Sequence, residues 1–124
     1  KDSIQFSSAG MPPAYYYSAE KDALEEVLVG ALPLGSFPSA IHMMQEIPFK
    51  TKGDILVMMS DGLPEAENTN DEMVGYEQTE ERIRSMVSKS AEEIKDGLVE
   101  LCDTWLEGFA ELKDDMTFVI IKKK

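Results

Sequence analysis

A short apolar run, closed at once by a serine, an aspartate and a glycine, places the strongest constraint on how this chain folds. Residues 55–59 read Ile-Leu-Val-Met-Met, and residues 60–66 read Ser-Asp-Gly-Leu-Pro-Glu-Ala. Apolar residues in unbroken succession predict a strand that is buried on both faces, and the glycine and proline after them end it. Asp61 is therefore expected directly beyond the end of a central strand, where a carboxylate can point outward from rigid backbone.

A second acidic pair lies near the other end of the sequence. Asp114 and Asp115 precede Met-Thr and then the apolar residues 118–121 (Phe-Val-Ile-Ile). If the two strands are antiparallel neighbours, the end of one lies beside the start of the other, so Asp61 and Asp114 converge. Carboxylate oxygens are the ligands that Mg²⁺ and Mn²⁺ prefer, so this convergence would suit a divalent metal ion.

Both acidic motifs also have a purely structural interpretation. Asp-Gly after a strand is common turn chemistry, because both residues tolerate the backbone angles that a tight turn requires. An Asp-Asp pair before a strand is often part of a solvated loop. On residue spacing alone, the two interpretations stay open.

The composition describes one globular domain. The chain has 124 residues, of which 43% are hydrophobic and 29% are charged, enough for one core but not for two. No apolar run approaches the length that crosses a bilayer. The single cysteine, Cys102, cannot form an internal disulfide, so a reducing, cytoplasmic location is expected.

The charge balance restricts the classes of partner. Acidic residues number 24 and basic residues 12, which gives a formal net charge of −12. Such a charge opposes binding to nucleic acid and to anionic membrane surfaces, and it favours cations or basic protein surfaces. Residues 122–124 (Lys-Lys-Lys) are the only basic cluster in the sequence, and we expect them to form a frayed, solvated tail.

The sequence pattern predicts a series of strands followed by helices. A helix is expected at residues 79–88, where apolar residues recur on one face. Strands, then two helices, then a last strand make an α+β fold with a mainly antiparallel sheet and the two helices packed on one face. The strands are expected at residues 3–8 and 14–18, paired as a hairpin spanning residues 4–18, and at 24–29, 43–49, 55–59 and 118–121.

The second helix has the clearest local signals. Ser90, followed three residues later by Glu93, is a capping box, which begins a helix. Apolar residues then recur at helical spacing, which predicts a stripe that packs onto the sheet. The members of this stripe are Ile94, Leu98, Leu101, Cys102, Trp105 and Phe109.

Several short segments occur in the order found in one protein family. They are residues 8–13 (Ser-Ala-Gly-Met-Pro-Pro), 34–35 (Leu-Gly), 53–54 (Gly-Asp), 60–66 and 114–117 (Asp-Asp-Met-Thr). In these segments the chain resembles the SpoIIE/RsbU-type serine phosphatases of bacteria, within the PPM superfamily of metal-dependent protein phosphatases. The resemblance covers nearly the whole chain, although Ser8 and Met11 stand where the family commonly has Asn and His.

The resemblance implies a fold and a set of site residues. The fold would be part of a PPM-like β-sandwich, and the cofactor would be Mn²⁺ or Mg²⁺, in a two-metal site of the complete domain. Asp61 and Asp114 would be catalytic residues that bind the metal directly. Gly62 would allow the backbone to approach the metal closely, and Asp115 would support the site from behind the direct ligands.

The resemblance also implies an activity and partners. Members hydrolyse phosphoserine or phosphothreonine in a small regulatory protein, typically an anti-sigma factor antagonist, within bacterial stress or sigma-factor signalling. The family's first catalytic segment, with Asp-Gly and Gly-His-Gly motifs, is expected upstream together with a sensor or regulatory domain. Residues 1–124 would then be the C-terminal portion of the phosphatase domain, inactive alone. Their incompletely covered sheet is expected to favour association into a homodimer.

Two other classes of function remain open. An acidic α+β domain could sequester a basic protein without catalysis, its aspartates only completing turns. The chain could also be a pseudophosphatase module whose metal residues are relics. Stabilisation by Mn²⁺ that disappears in Asp61→Asn would distinguish a working metal site from both alternatives.

Overall fold

The computed structural model describes residues 2–108 and 110–124. Over these residues, a succession of strands and helices confirms the predicted α+β class with antiparallel sheets. The elements are β1 (Ser3–Ser7), β2 (Ala14–Ser18), β3 (Ala23–Val27), β4 (Met44–Pro48), β5 (Ile55–Met59), α1 (Gly75–Ser85), α2 (Ala91–Leu106) and β6 (Phe118–Lys122).

The central sheet has the strand order β3-β2-β5-β6, with every neighbouring pair antiparallel. β5 lies inside this sheet, and its residues Ile55, Leu56 and Val57 are at most 1% exposed. This burial on both faces is what the unbroken apolar run predicts. β6 pairs with β5 so that Met59 lies opposite Phe118. The end of β5 and the start of β6 therefore lie side by side.

A second, two-stranded sheet is formed by β1 and β4. The predicted hairpin of residues 4–18 is therefore wrong, because β1 pairs with β4 and not with β2. β2 instead forms a hairpin with β3, through a turn in which Asp22 has a φ of 48°. Residues 10–13 (Gly-Met-Pro-Pro) explain the difference, since adjacent prolines lack the amide donors of a tight hairpin. This segment carries the chain from one sheet to the other.

The sheets and helices form three layers around β5. Successive side chains of a strand point to opposite faces, so the residues of β5 divide between two apolar clusters. The prediction that both helices pack on one face is confirmed, and the β1–β4 sheet covers part of the other face. The helix-side cluster includes Ile55, Val57, Ile83, Ile94 and Leu98, and the opposite cluster includes Tyr16, Leu56, Ile47 and Phe49.

The starts of the two helices are encoded differently. At α2 the predicted capping box is present: the Glu93 N–H donates to Ser90 Oγ (3.1 Å), and the Ser90 N–H donates to Glu93 Oε2 (2.8 Å). α1 begins at Gly75 rather than at residue 79, and its N-cap residue, Val74, makes no side-chain hydrogen bond. Because no capping side chain marks this start, the sequence carries no local signal for it.

The predicted apolar stripe of α2 faces the core. Its first four members are buried. Trp105 is half-buried, and its indole N–H donates to the Glu72 carbonyl at 2.7 Å, which ties α2 to residues 65–75. Phe109 lies outside the described residues. Within those residues, no helix has the length and apolar character that crossing a membrane requires.

Candidate metal centre

The pairing of β5 with β6 brings the two acidic motifs to the same end of the central sheet. One residue beyond the last strand pair, the Ser60 N–H donates to the Thr117 carbonyl at 3.0 Å. Asp61 follows Ser60 directly, and Asp115 lies two residues before Thr117. The structure thus places the Asp61 segment and the Asp114–Asp115 segment side by side.

Ser60 joins the two segments through its side chain as well. Its hydroxyl accepts a hydrogen bond from the Thr117 N–H (3.0 Å) and donates one to the Asp115 carbonyl (3.2 Å). The spacing of the motifs did not reveal this role. The only sequence signal for this role was the position of Ser60, a hydroxyl residue between the end of β5 and Asp61.

Gly62 allows the two segments to approach backbone to backbone. A Cβ atom at Gly62 would lie 2.2 Å from the Asp115 carbonyl oxygen and 2.9 Å from the Asp115 carbonyl carbon. These separations are too short for nonbonded atoms, so any side chain here would displace the Asp115 backbone. The φ of Gly62 is not positive. The glycine is therefore required for space rather than for an unusual backbone conformation.

The candidate metal ligands differ in how free their carboxylates are. Asp61 is half-buried, and no hydrogen bond or ion pair among residues 2–108 and 110–124 uses its carboxylate. Asp114 and Asp115 are exposed, and Asp114 Oδ1 accepts a hydrogen bond from the Asp115 N–H at 2.8 Å. Asp61 thus keeps both oxygens available, whereas one oxygen of Asp114 is engaged within its own loop.

A pocket of about 260 Å³ lies beside these acids. In its wall, the Lys113 ammonium donates to the Glu67 carboxylate. This hydrogen bond, and the negative charge of Glu67, raise the pKa of Lys113 above its ordinary value. The pair connects the Asp114 loop to residues 65–75, and sequence reasoning missed it. The lining residues are Gly62, Glu65, Ala66, Glu67, Met73, Lys113 and Asp114.

Tyr76, near the start of α1, belongs to the same acidic end. Burial first, and then the negative charges of Glu65 and Asp61, raise the pKa of Tyr76 above its ordinary value. The Tyr15 hydroxyl donates to the Tyr76 carbonyl at 3.4 Å, which links β2 to α1. Tyr76 therefore stays protonated at neutral pH, as a phenol in the field of two carboxylates.

The donor chemistry of this end suits a divalent cation, but the number of donors is small. Carboxylate oxygens are appropriate ligands for Mn²⁺ and Mg²⁺. In the part of the chain that the structure describes, no group of three or more His, Cys, Asp and Glu side chains is placed to hold a metal ion. Mg²⁺ often takes only one or two protein carboxylates and keeps several waters. The residues present can therefore supply part of a ligand set.

The fold is similar to that of solved PP2C-type domains. The SiaA-PP2C domain of Pseudomonas aeruginosa matches with a TM-score of 0.82 and 16% identity, over 99% of this chain and 47% of that one. The phosphatase domain of SpoIIE from Bacillus subtilis, presoaked with Mn, matches with a TM-score of 0.68 and 21% identity, over 98% of this chain and 50% of that one. The antiparallel sheet covered by two helices, with two acidic segments joined at its end, therefore has a PP2C-like fold.

The sequence comparisons narrow this class to a family. The family model described as Stage II sporulation protein E (SpoIIE) matches residues 1–124, and the chain belongs to this family. The chain is also similar to phosphoserine phosphatase RsbU of Bacillus subtilis (strain 168), with 26% identity over 133 residues. That match covers all of this chain and 36% of RsbU, so the chain spans about a third of this relative.

Proposed function

We propose that this chain forms the C-terminal portion of a metal-dependent protein phosphatase domain that acts on phosphoserine or phosphothreonine. One observation carries the proposal: Gly62 and Asp115 meet backbone to backbone, while no hydrogen bond or ion pair among the described residues engages the Asp61 carboxylate beside them. A half-buried carboxylate at a strand end that no described donor engages keeps both oxygens available for a divalent cation. Two similar proteins are named as phosphatases: phosphoserine phosphatase RsbU and the phosphatase domain of SpoIIE.

Each residue of the centre has a proposed role. Asp61 and Asp114 bind a Mn²⁺ or Mg²⁺ ion, with Asp115 supporting them and Gly62 keeping the two segments in contact. When bound, such an ion supplies Lewis acidity toward phosphoryl oxygens and lowers the pKa of bound water. Ser60 holds the Asp115 backbone in place through its hydroxyl hydrogen bond.

The proposed substrate is a small phosphorylated regulatory protein of the anti-sigma factor antagonist type. RsbU is named as a phosphoserine phosphatase, and the resemblance to that family supports this substrate class. The further ligands of a two-metal site, and an upstream sensor or regulatory domain, are proposed to lie outside residues 1–124. Those residues alone would then bind metal weakly and be inactive, in the reducing cytoplasm to which the buried Cys102 thiol is suited.

A homodimer is also part of the proposal. Leu34, Phe37 and Ile41, between β3 and β4, are 79%, 62% and 82% exposed. Large apolar side chains exposed together favour association. Light scattering should give the mass of a dimer, and Ile41→Asp should shift it toward the mass of a monomer. A monomer at all concentrations would contradict this part of the proposal.

The metal site is tested by Mn²⁺ titration with thermal melting of the full-length protein. Wild type should be stabilised, since ligand at 100 times its Kd adds about 2.7 kcal/mol to the free energy of unfolding. Asp61→Asn and Asp114→Asn should each abolish this gain. Asp103→Asn, which removes an exposed carboxylate from α2, is the matched control and should keep it. A gain that persists in both site variants would place the cation elsewhere.

The activity is tested on a phosphoserine peptide and on a phosphorylated antagonist protein. The full-length protein should release phosphate in the presence of Mn²⁺, and Asp61→Asn should not. Residues 1–124 alone should release none. Robust hydrolysis by residues 1–124 alone would contradict the division of the site between this chain and protein outside it.

One observation favours a second candidate, a non-catalytic acidic module or pseudophosphatase. The described residues contain no group of three or more potential metal-ligating side chains. Under this alternative, the full-length protein would show no Mn²⁺-dependent stabilisation and no hydrolysis. It would still bind a basic partner, with an affinity that falls as salt rises.

A further inference from the structure

A second cavity, of about 700 Å³, lies at the end of the central sheet opposite to Asp61. Its walls come from the turn before β5, the end of β6, the end of β2 and the start of α2. We call it the lysine pocket, because four of the chain's twelve basic residues line it. These are Lys52, Lys122, Lys123 and Lys124.

The charge of the lysine pocket is opposite to that of the chain. Among the described residues, the lining contains four lysines and no aspartate or glutamate, although the whole chain has a formal net charge of −12. In such an acidic protein, a pocket lined by positive charges makes the local electrostatic potential positive where the rest of the surface is negative. Low-dielectric walls focus that potential, which attracts and holds anions.

Lys122 is held in the wall rather than frayed in a solvated tail, so that sequence expectation is wrong. It is the last residue of β6, and its ammonium donates to the carbonyls of Val87 (2.7 Å) and Lys89 (2.6 Å). An ammonium has three N–H donors, so one remains for a ligand. The backbone of Lys123 is also fixed, because its N–H donates to the Asp54 carbonyl at 2.9 Å. The Lys122 charge is therefore placed before any ligand arrives, and the side chain of Lys123 starts from a fixed backbone position.

Two carboxylates that are close in sequence to lining residues of the pocket are already engaged by protein N–H groups. Glu93 accepts from the Ser90 N–H in the capping box. Asp54, 1% exposed, accepts from the Ala19 N–H (2.9 Å) and the Thr51 N–H (2.8 Å). They offset part of the positive potential, but neither forms an ion pair with a pocket lysine among the residues described. The ammoniums of Lys52, Lys123 and Lys124 make no hydrogen bond or ion pair among the described residues, and they stay available to a ligand.

Much of the pocket wall is apolar. Val87 and Ala91 contribute aliphatic surface from the turn before α2 and from its first residue. Tyr17 lines another side, and its hydroxyl donates to Asp22 Oδ1 at 2.8 Å, which fixes the position of its ring. Small-molecule sites combine mainly apolar walls with a few polar groups, in cavities of roughly 300–1,000 Å³.

We propose that the lysine pocket binds a small organic phosphate, of the nucleoside phosphate class, with its phosphates on the lysines and its planar body against Tyr17. Several lysines in one wall match a ligand with more than one negative charge, which a phosphate chain provides. The ring of Tyr17 offers a flat surface on which a base can stack. The site is separate from the candidate metal centre, because the two lie at opposite ends of β5.

The test is isothermal titration calorimetry in buffer with EDTA, which removes divalent cations and any contribution of the metal centre. The probes are ATP, inorganic tripolyphosphate, adenosine and an oligoglutamate peptide. ATP should bind, adenosine should not, and tripolyphosphate should bind at least about tenfold more weakly, since it cannot contact Tyr17. Higher salt should weaken ATP binding.

Variants assign the binding to this pocket. Lys52→Gln and Lys123→Gln together should weaken ATP binding by at least about tenfold, because each removes a charge-assisted contact. Tyr17→Leu should weaken ATP binding but leave tripolyphosphate unchanged. Arg82→Gln removes one positive charge from α1, where Arg82 pairs with Glu100, and should bind ATP as wild type does. Melting of each variant without ligand confirms that it is folded.

Several results would overturn the proposal. Two results remove the site: ATP gives no heat of binding, or ATP binds the Lys52, Lys123 double variant as tightly as wild type. Equal affinity for ATP and tripolyphosphate would reduce the pocket to a patch for simple polyanions. Tighter binding of oligoglutamate than of ATP would make it a docking site for an acidic peptide instead.

Discussion

Two aspartates flank the central strand β5, and their surroundings differ completely. Asp54, before the strand, is 1% exposed, and its two oxygens accept hydrogen bonds from the Ala19 and Thr51 N–H groups. Asp61, after the strand, is half-buried, and no hydrogen bond or ion pair among the described residues uses its carboxylate. Each stands next to a glycine. The donors that surround a carboxylate, rather than its motif, therefore separate a structural acid from a candidate ligand.

The two ends of the sheet are otherwise tied in similar ways. At the Asp54 end, the Gly53 N–H donates to the Lys123 carbonyl at 3.0 Å. At the Asp61 end, the Ser60 N–H donates to the Thr117 carbonyl at the same distance. Rigid backbone is thus common to both ends. Of the two aspartates, Asp61 alone has a carboxylate that no described donor engages, so we expect a change of charge to be tolerated there and not at Asp54.

Of the four substitutions around β5 that we consider, Asp54→Asn should cause the largest loss in the free energy of unfolding. An amide keeps one acceptor but points an NH₂ at a buried N–H donor, so we expect a loss of about 3 kcal/mol in the free energy of unfolding. Urea unfolding followed by Trp105 fluorescence measures it. A loss below about 1 kcal/mol would mean that water replaces the two hydrogen bonds, and that Asp54 is not a structural acid.

Gly62→Ala should have the next largest effect. The new Cβ would meet the Asp115 backbone, and overpacking of this kind should cost about 2 kcal/mol. Gly30→Ala is the control, because a Cβ at Gly30 meets nothing within 4 Å. Its effect should stay within about 0.5 kcal/mol. Equal effects of the two variants would mean that the two acidic segments are not in tight contact.

Ser60→Ala should cost about 1 kcal/mol, because one hydroxyl makes two hydrogen bonds across the segments in a partly exposed place. The Thr117 amide, which loses its acceptor, should exchange with deuterium faster. Ser36→Ala removes a hydroxyl that donates to the Pro33 carbonyl in an exposed loop, and serves as the control. Unchanged exchange at Thr117 would show that Ser60 does not hold this segment.

Asp61→Asn should have the smallest effect on stability when metal is absent, below about 0.5 kcal/mol. The substitution is chemically the same as Asp54→Asn, on the other side of the same strand. Urea unfolding in EDTA compares them directly. A loss as large as that of Asp54→Asn would make Asp61 a structural acid and would remove the main support for the metal centre.

Some features of the fold were predictable because their cause is local. The burial of Ile55, Leu56 and Val57 follows from an unbroken apolar run, and the start of α2 follows from Ser90 and Glu93. Local signals failed where they were absent or misleading. The start of α1 has no capping side chain, and the order of β1 and β2 along the chain suggested a hairpin that does not form.

The candidate site was predictable only in part. The acidic motifs identified Asp61 and Asp114, and their neighbouring strands are indeed paired. The hydroxyl of Ser60 and the ion pair of Lys113 with Glu67 were not expected. Each of these contacts joins residues that are distant in sequence, and the sequence of one segment does not indicate which distant residue it contacts.

The sequence by itself determined the type and order of the elements, though not the start of α1, because hydrophobic periodicity and helix caps act over a few neighbouring residues. It also determined the family, since the acidic motifs and their order are readable without coordinates. The tertiary structure alone decided that β1 pairs with β4, that Gly62 meets Asp115, and that a basic stretch becomes a pocket wall. The physical reason is that strand pairing and close backbone contact depend on how all layers of the protein pack together. A carboxylate is structural or free according to the N–H groups that this packing brings to it.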